Sequence, residues 1–188
     1  FGFSFNHLAL NIKTYSIPVY YVNNTVPKTK VHPTVLAGKG FNPDPMVPIP
    51  AGATPAAGTD KHMCIADIGI KESWDMWYTL DEQEGWTCKV GATTDLSGSG
   101  SRPSKYKANP WTLAVGARAC GFPLIAGLIR VEEMKAGVID HALVFAYPYC
   151  MSNHFVYPAS TAQGTVPGNC TDTRGIPCGG LVRLSEDF

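Results

Sequence analysis

Apolar residues recur along this chain in short runs, several of them alternating with polar residues, and glycine or proline separates most of the runs. Such runs predict strands at 8–12 (LALNI), 17–22 (IPVYYV), 62–68 (HMCIADI), 74–80 (WDMWYTL) and 86–90 (WTCKV). Three more strand-like segments follow at 138–147 (VIDHALVFAY), 154–157 (HFVY) and 180–184 (GLVRL). Gly and Pro together supply 34 of 188 residues, spread as punctuation. The predicted fold is all-β, a β-sandwich or jelly-roll-like architecture.

Two short helices are expected within it. Asn109 caps one, with Pro110 at its first position, running through WTLAVGARA to Gly121; VEEMKAG from Val131 has acids early, Lys135 late and Gly137 as terminator. Residues 42–59 hold five prolines, which suits neither a helix nor a sheet interior and predicts an extended crossover on the surface. DLSGSGSRPSK, from Asp95 to Lys105, predicts an irregular loop without the glycine and lysine spacing of a phosphate-binding loop.

The first twelve residues, FGFSFNHLALNI, contain a change of parity. Phe1, Phe3 and Phe5 share one face, whereas Leu8, Leu10 and Ile12 occupy the opposite set, so a single flat strand cannot bury both. The expectation is a division at Asn6-His7: residues 8–12 in the home sheet, and the three phenylalanines buried either there or in a neighbouring subunit.

Composition narrows the function classes. A chain of 188 residues with 45% hydrophobic and 16% charged residues has material for one core, enough to bury about 70% of its unfolded surface. Fifteen basic and fifteen acidic residues leave no net charge, which disfavours a nucleic-acid partner. No apolar run reaches the ~18 residues of a membrane helix, and no charged segment precedes FGFSF, so any signal peptide is expected to have been removed. Cys64, Cys88, Cys120, Cys150, Cys170 and Cys178 form an even set without CxxC pairs, pointing to disulfides and an extracellular location rather than zinc. Cys170–Cys178 is the expected pair, across a turn-rich loop; pairing among the other four stays open. Sequons at Asn23 and Asn169 agree with secretion.

Residues 116–147, GARACGFPLIAGLIRVEEMKAGVIDHALVFAY, contain a G-F-P-L-x-x-G-L-I-R segment leading into an acidic helix and then an I-x-HAL strand. GTDKHMCIAD upstream carries a D-K-H strand, and FVYPAS and GIPCGGLVRL follow downstream. In this order, over about residues 26–184, the pattern resembles a family of secreted β-rich proteins of bacteria and some eukaryotes. The resemblance implies a secreted β-sandwich and carries over no reaction; since it begins near residue 26, residues 1–25 are expected as an N-terminal strand arm and 26–188 as the β-sandwich domain. Its usual ending has a basic or polar residue where Cys178 stands, and several of the cysteines depart from it.

Candidate chemistry is sparse. His62 and His141, with Asp67 and Glu72, are the residues that general acid–base work would use. Asp140 and His141 are adjacent and would point to opposite faces of a strand, so Asp140 cannot orient His141. On the predicted strand His141 shares a face with Ile139, Leu143 and Phe145, the setting of a core histidine. Nucleophile elbows and metalloprotease motifs are absent, no cofactor or metal is expected, and the balance leans away from an enzyme. Trp77 and Trp86 are candidate platforms for a sugar ring. The expected function is an extracellular structural subunit assembling head-to-tail into a filament through Phe1, Phe3 and Phe5; the alternative is a secreted domain that binds or acts on carbohydrate.

Overall fold

The computed structural model describes residues 10–35, 46–98, 117–162, 166–167 and 174–183. The chain is all-β. In order, its strands are β1 (Val19–Val22), β2 (Thr29–Pro33), β3 (Met46–Val47), β4 (Met63–Asp67), β5 (Glu72–Trp77) and β6 (Leu80–Glu82). Then come β7 (Gly85–Cys88), β8 (Val90–Asp95), the helix α1 (Val131–Ala136), β9 (Cys150–Phe155), β10 (Val166–Pro167) and β11 (Ile176–Cys178). They form three sheets: β1-β4-β5-β8, β3-β2-β7-β6 and β10-β9-β11.

The first two sheets share one hydrophobic core, as alternation along their strands requires. From the first sheet come Met63, Ile65, Trp74 and Met76; from the second, Val31, Val47 and Cys88, with Ile49 and Ala53 from the proline-rich stretch. Register places Met63 opposite Met76 and Ile65 opposite Trp74, so the large side chains of β4 and β5 stack on one face. Tyr20, Val22 and Trp86 pack at the margin. The opposite face of the first sheet is also buried: all five residues of β4 are inaccessible. Its side chains there are small or polar (Cys64, Ala66, Ser73, Asp75, Ala92 and Thr94), and the segment around Leu124 covers them. A central sheet covered on both faces explains why MCIAD has no wet side.

The expected elements depart from the structure at specific places. The segment 138–147 is not a strand among the described residues. It follows α1 as irregular chain with a bend at His141, with Val138, Ile139, Leu143 and Phe145 between 38% and 64% exposed, and its Val144 N–H donates to the Gly127 carbonyl. Leu10 and Ile12 are likewise in no strand, 57% and 67% exposed. Asn11 is the cause: its Oδ1 accepts the N–H groups of Lys13, Thr14 and Tyr15 and turns the chain where the strand was to continue.

The proline-rich stretch is not a surface crossover. Val47, Pro48, Ile49, Ala53, Ala56 and Gly58 are buried, with β3 at the edge of the second sheet. An edge strand tolerates proline, and proline carries no N–H that burial would leave unsatisfied. One of the two helices is present, α1, closed by Gly137 in the left-handed region at φ 70°. The other falls mostly outside the described residues; Ala117, Arg118 and Ala119, which are described, are not helical. The last strand forms at Ile176–Cys178 instead of 180–184, and Gly179 at φ 85° ends it where a side chain would strike the Val156 carbonyl.

Candidate functional site

The best-built polar cluster lies on the second face of the first sheet. In strand register Cys64 faces Asp75 and Asp75 faces Ala92, so the Asp75 carboxylate stands among small side chains with space above it. The segment 117–127 fills that space. Leu124 N–H donates to Asp75 Oδ2 at 2.9 Å, and Arg118 Nη2 donates to the carbonyls of Leu124 (2.8 Å) and Ala126 (3.4 Å). Burial pulls the Arg118 guanidinium downward from its usual range, opposed by Cys120, Asp75 and Cys64. It remains a cation, since an arginine has far to fall. Burial pushes the Cys64 thiol well up, and the nearby Asp75 carboxylate adds to the effect. A protonated, inaccessible thiol is no nucleophile, so this cluster clamps a loop onto a sheet.

At the open end of the same face sit His62 and Trp77. Two non-glycine residues there adopt left-handed backbone, Lys61 at φ 44° and Tyr78 at φ 56°. Backbone bonds from Tyr78 N–H to Asp60 O (2.7 Å) and from Thr79 N–H to Lys61 O (3.1 Å) hold them. Trp77 Nε1–H donates to Asp60 Oδ1 at 3.3 Å. His62 Nε2 lies 3.2 Å from the Ala117 carbonyl, which makes Nε2 the protonated nitrogen. Burial lowers the His62 pKa, with the Ala117 carbonyl and Asp60 opposing and Arg118 reinforcing the fall, so the ring is neutral at pH 7. Lys89 Nζ sits over the rings of both Trp77 (5.5 Å) and Tyr78 (3.8 Å). A sugar stacking on that face of Trp77 would have to displace it. Trp86 packs against the core.

The other candidates occupy separate surroundings. His141 bridges Glu133 Oε1 (2.8 Å, Nε2) and the Ala142 carbonyl (2.9 Å, Nδ1); two acceptors require both ring nitrogens to donate, which is the imidazolium. Its pKa is raised, by the Ala142 carbonyl first and Glu133 next. Glu133 also accepts the Arg130 N–H at 2.8 Å, so it ties the start of α1 to the segment behind it. Asp67 caps the β4–β5 turn, accepting from Gly69 and Ile70 N–H at 2.9 and 3.2 Å. Glu72 stands in register between Asp67 and Asp95. Burial raises its pKa, Lys28 opposes, and the carboxylates of Asp95 and Asp67 add to the rise. The structure thus brings Asp67 and Glu72 together, while His62 and His141 each engage other groups. Among the described residues no cluster of three or more His, Cys, Asp or Glu could hold a metal ion, and no helix is long and apolar enough to cross a membrane.

Among the described residues no two cysteines are at disulfide-bonding distance. Cys64, Cys88 and Cys178 are buried, Cys120 and Cys150 partly so; Cys170 lies outside the described residues, as do Phe1, Phe3, Phe5 and Asn169. Asn23 is exposed on the turn after β1, its Oδ1 accepting from Thr25 N–H and Oγ1 at 3.0 and 2.6 Å. Sequence reasoning missed Asp75 and Arg118. The one available signal was an acid between Trp74 and Met76 in a strand with core neighbours; nothing local linked it to an arginine in another segment. The chain matches no family model, no curated protein and no solved structure.

Proposed function

We propose that this chain is an extracellular structural subunit that assembles head-to-tail, adding its N-terminal segment to a neighbouring copy. The observation that carries this is the behaviour of the chain just after that segment. Leu10 and Ile12, expected in the home sheet, lie 57% and 67% exposed and outside any strand. Among the described residues the chain first engages its own domain at residues 14 and 15, where Gly58 N–H donates to the Thr14 carbonyl at 2.7 Å and the Tyr15 ring occupies space that a side chain at position 58 would need. An apolar stretch with FGFSF ahead of Leu10 calls for burial elsewhere.

Two further features favour assembly over catalysis. The buried polar cluster is spent on holding a loop, and the aromatic face at Trp77 is already occupied by Lys89. The exposed Asn23 sequon suits an extracellular surface. Deleting residues 1–6 and measuring mass by light scattering, with electron microscopy of the particles, tests the proposal. Assemblies that dissolve to monomers on deletion support it; monomers both before and after overturn it.

A further inference from the structure

We infer that His141 is a pH-operated latch: its protonated ring holds residues 139–143 to α1, and loss of one proton to solvent releases them. The inference goes beyond the assembly proposed above and does not rest on it.

The latch is one ring between two acceptors. His141 Nε2 lies 2.8 Å from Glu133 Oε1, and Nδ1 lies 2.9 Å from the carbonyl of Ala142, the next residue in the chain. The backbone bends at His141, and the Glu133 contact ties that bend to α1. Only the imidazolium has a proton for each oxygen. A neutral ring has a single N–H, so whichever contact it keeps, the other nitrogen presents a lone pair to an oxygen and that contact turns repulsive.

The surroundings let the proton come and go. The Glu133 side chain is 13% exposed and the ring 24%, so the carboxylate is largely screened from water while the ring still exchanges with it. The charges acting on the ring come from the start of α1: Glu133 favours the proton, and Arg130, whose Nη1 lies 3.8 Å from the same Glu133 oxygen, opposes it. Residues 125–129, IAGLI, which carry the Gly127 contact, contain no titratable side chain, and Asp140, Glu132 and Lys135 are exposed. The balance lifts the ring above its ordinary 6.5, with the Ala142 carbonyl first, loss of hydration opposing and Glu133 next. A raised folded pKa means that the tie is complete below the ordinary value and is lost as pH rises through the folded one. That range adjoins neutrality, where no other side chain titrates at its ordinary value.

Release is confined by what stays bonded. Glu133 keeps the Arg130 N–H at 2.8 Å, so the start of α1 remains capped. Val138 N–H keeps Glu133 O at 3.3 Å, and Val144 N–H keeps Gly127 O at 3.0 Å with its side chain against Gly127. Between those two points no backbone hydrogen bond holds residues 139–143 among the described residues. Ile139 and Leu143, 38% and 44% exposed, ride on the released stretch, so the apolar surface next to α1 has a shape that depends on pH.

NMR on the full chain tests this. Long-range proton–nitrogen spectra read the His141 ring, assigned by its loss in His141→Ala. The Ala142 methyl axis, fixed to the backbone, reads the stretch, with Val144 and Met63 methyls as reporters of the anchor and the core. At about pH 5.5 both ring nitrogens should carry protons and the Ala142 order parameter should be about 0.85; by about pH 8.5 it should fall below about 0.6, with Val144 and Met63 unchanged. The two transitions should share one midpoint, above 6.5. Glu133→Gln keeps an acceptor without the charge and should lower that midpoint for ring and stretch together. His141→Ala should leave Ala142 mobile at both pH values. A stretch that stays rigid while the ring titrates overturns the latch, as does a midpoint at or below 6.5, a loosening shared by Val144 and Met63, or a His141→Ala chain as rigid as the parent at the lower pH.

Discussion

Removing the Asp75 carboxylate should loosen the segment 117–127 and lower stability by an amount that the geometry sets. Asp75 is fully buried, and its Oδ2 is the acceptor for the buried Leu124 N–H at 2.9 Å. Asp75→Ala leaves that donor unsatisfied, a cost of about 1–3 kcal/mol. It also removes a negative charge that acts on the buried Arg118 guanidinium without a direct ion pair, so less is lost than the about 3–5 kcal/mol of stripping one partner from a buried charge pair when nothing else compensates. Here something does, because Arg118 Nη2 keeps the carbonyls of Leu124 and Ala126. The two effects together should come to about 3 kcal/mol, which for a chain of this size corresponds to a fall in Tm of roughly 6–12 °C. Asp75→Asn keeps an acceptor for Leu124 and loses only the charge, so about 1–2 kcal/mol is expected. Urea unfolding followed by tryptophan fluorescence and circular dichroism measures both. Combining Asp75→Asn with Arg118→Met should cost less than the sum of the single changes, by about 1–3 kcal/mol, because neither charge is then left alone. A cost below about 1 kcal/mol for Asp75→Ala, or strict additivity in the double variant, would refute the clamp.

Three further outcomes follow from the same geometry. Burial pushes the Cys88 thiol up to about 12 and the Cys64 thiol well up, so iodoacetamide at pH 8 should leave both unmodified in the folded chain and alkylate both in denaturant without reductant, as peptide mass mapping reports; labelling of either in the folded chain would show an opening that the core does not contain. Glu72 has its pKa raised in the folded state, so the fold binds a proton more readily than the unfolded chain and loses stability as pH climbs through that range; Glu72→Gln should be more stable than the parent at pH 7, with the gap closing as pH falls below the ordinary carboxylate range. His62 has the opposite linkage for its type: its folded pKa is lowered, the unfolded chain takes the proton first, and stability falls as pH drops below about 6.5. His62→Gln should remove that acid-side loss, and an unchanged pH profile of unfolding would contradict the burial of the ring.

The elements that could be read from the sequence are those whose burial is settled by their own side chains and nearest neighbours. β4 and β5 are both foreseen within two or three residues, since MCIAD and SWDMW meet across a short turn that Asp67 caps. α1 is equally local, its first-turn acids, Lys135 and Gly137 all acting within one short stretch. Failure begins where a distant segment decides. VIDHALVF has the pattern of a central strand, but a strand needs a partner, and among the described residues none pairs with it. His141 illustrates the consequence: alternation placed it in an apolar core, and the actual acceptor is Glu133 on the preceding helix. The described part of LALNI, residues 10–12, fails for a smaller reason, one asparagine whose side chain captures three backbone donors. The proline-rich stretch was misplaced because proline's missing N–H bars it from a ladder interior, and the same absence makes its burial inexpensive.

The distribution of burial also bears on why exposed apolar segments persist in this chain. If the sandwich lacked material for its core, the exposure of Leu10, Ile12, Leu143 and Phe145 could be ascribed to poor collapse. The core shows no such shortage: Val31, Val47, Met63, Ile65 and Met76 are fully inaccessible, and the central sheet is covered on its second face as well. Val138, Ile139, Leu143 and Phe145 would each gain on the order of 1–2 kcal/mol from completing their burial, yet the chain fixes them outward with a histidine–glutamate tie and a glycine contact. Anchoring an apolar segment in the exposed state costs the folded chain stability, and the His141–Glu133 tie and the Val144–Gly127 contact are what hold it there.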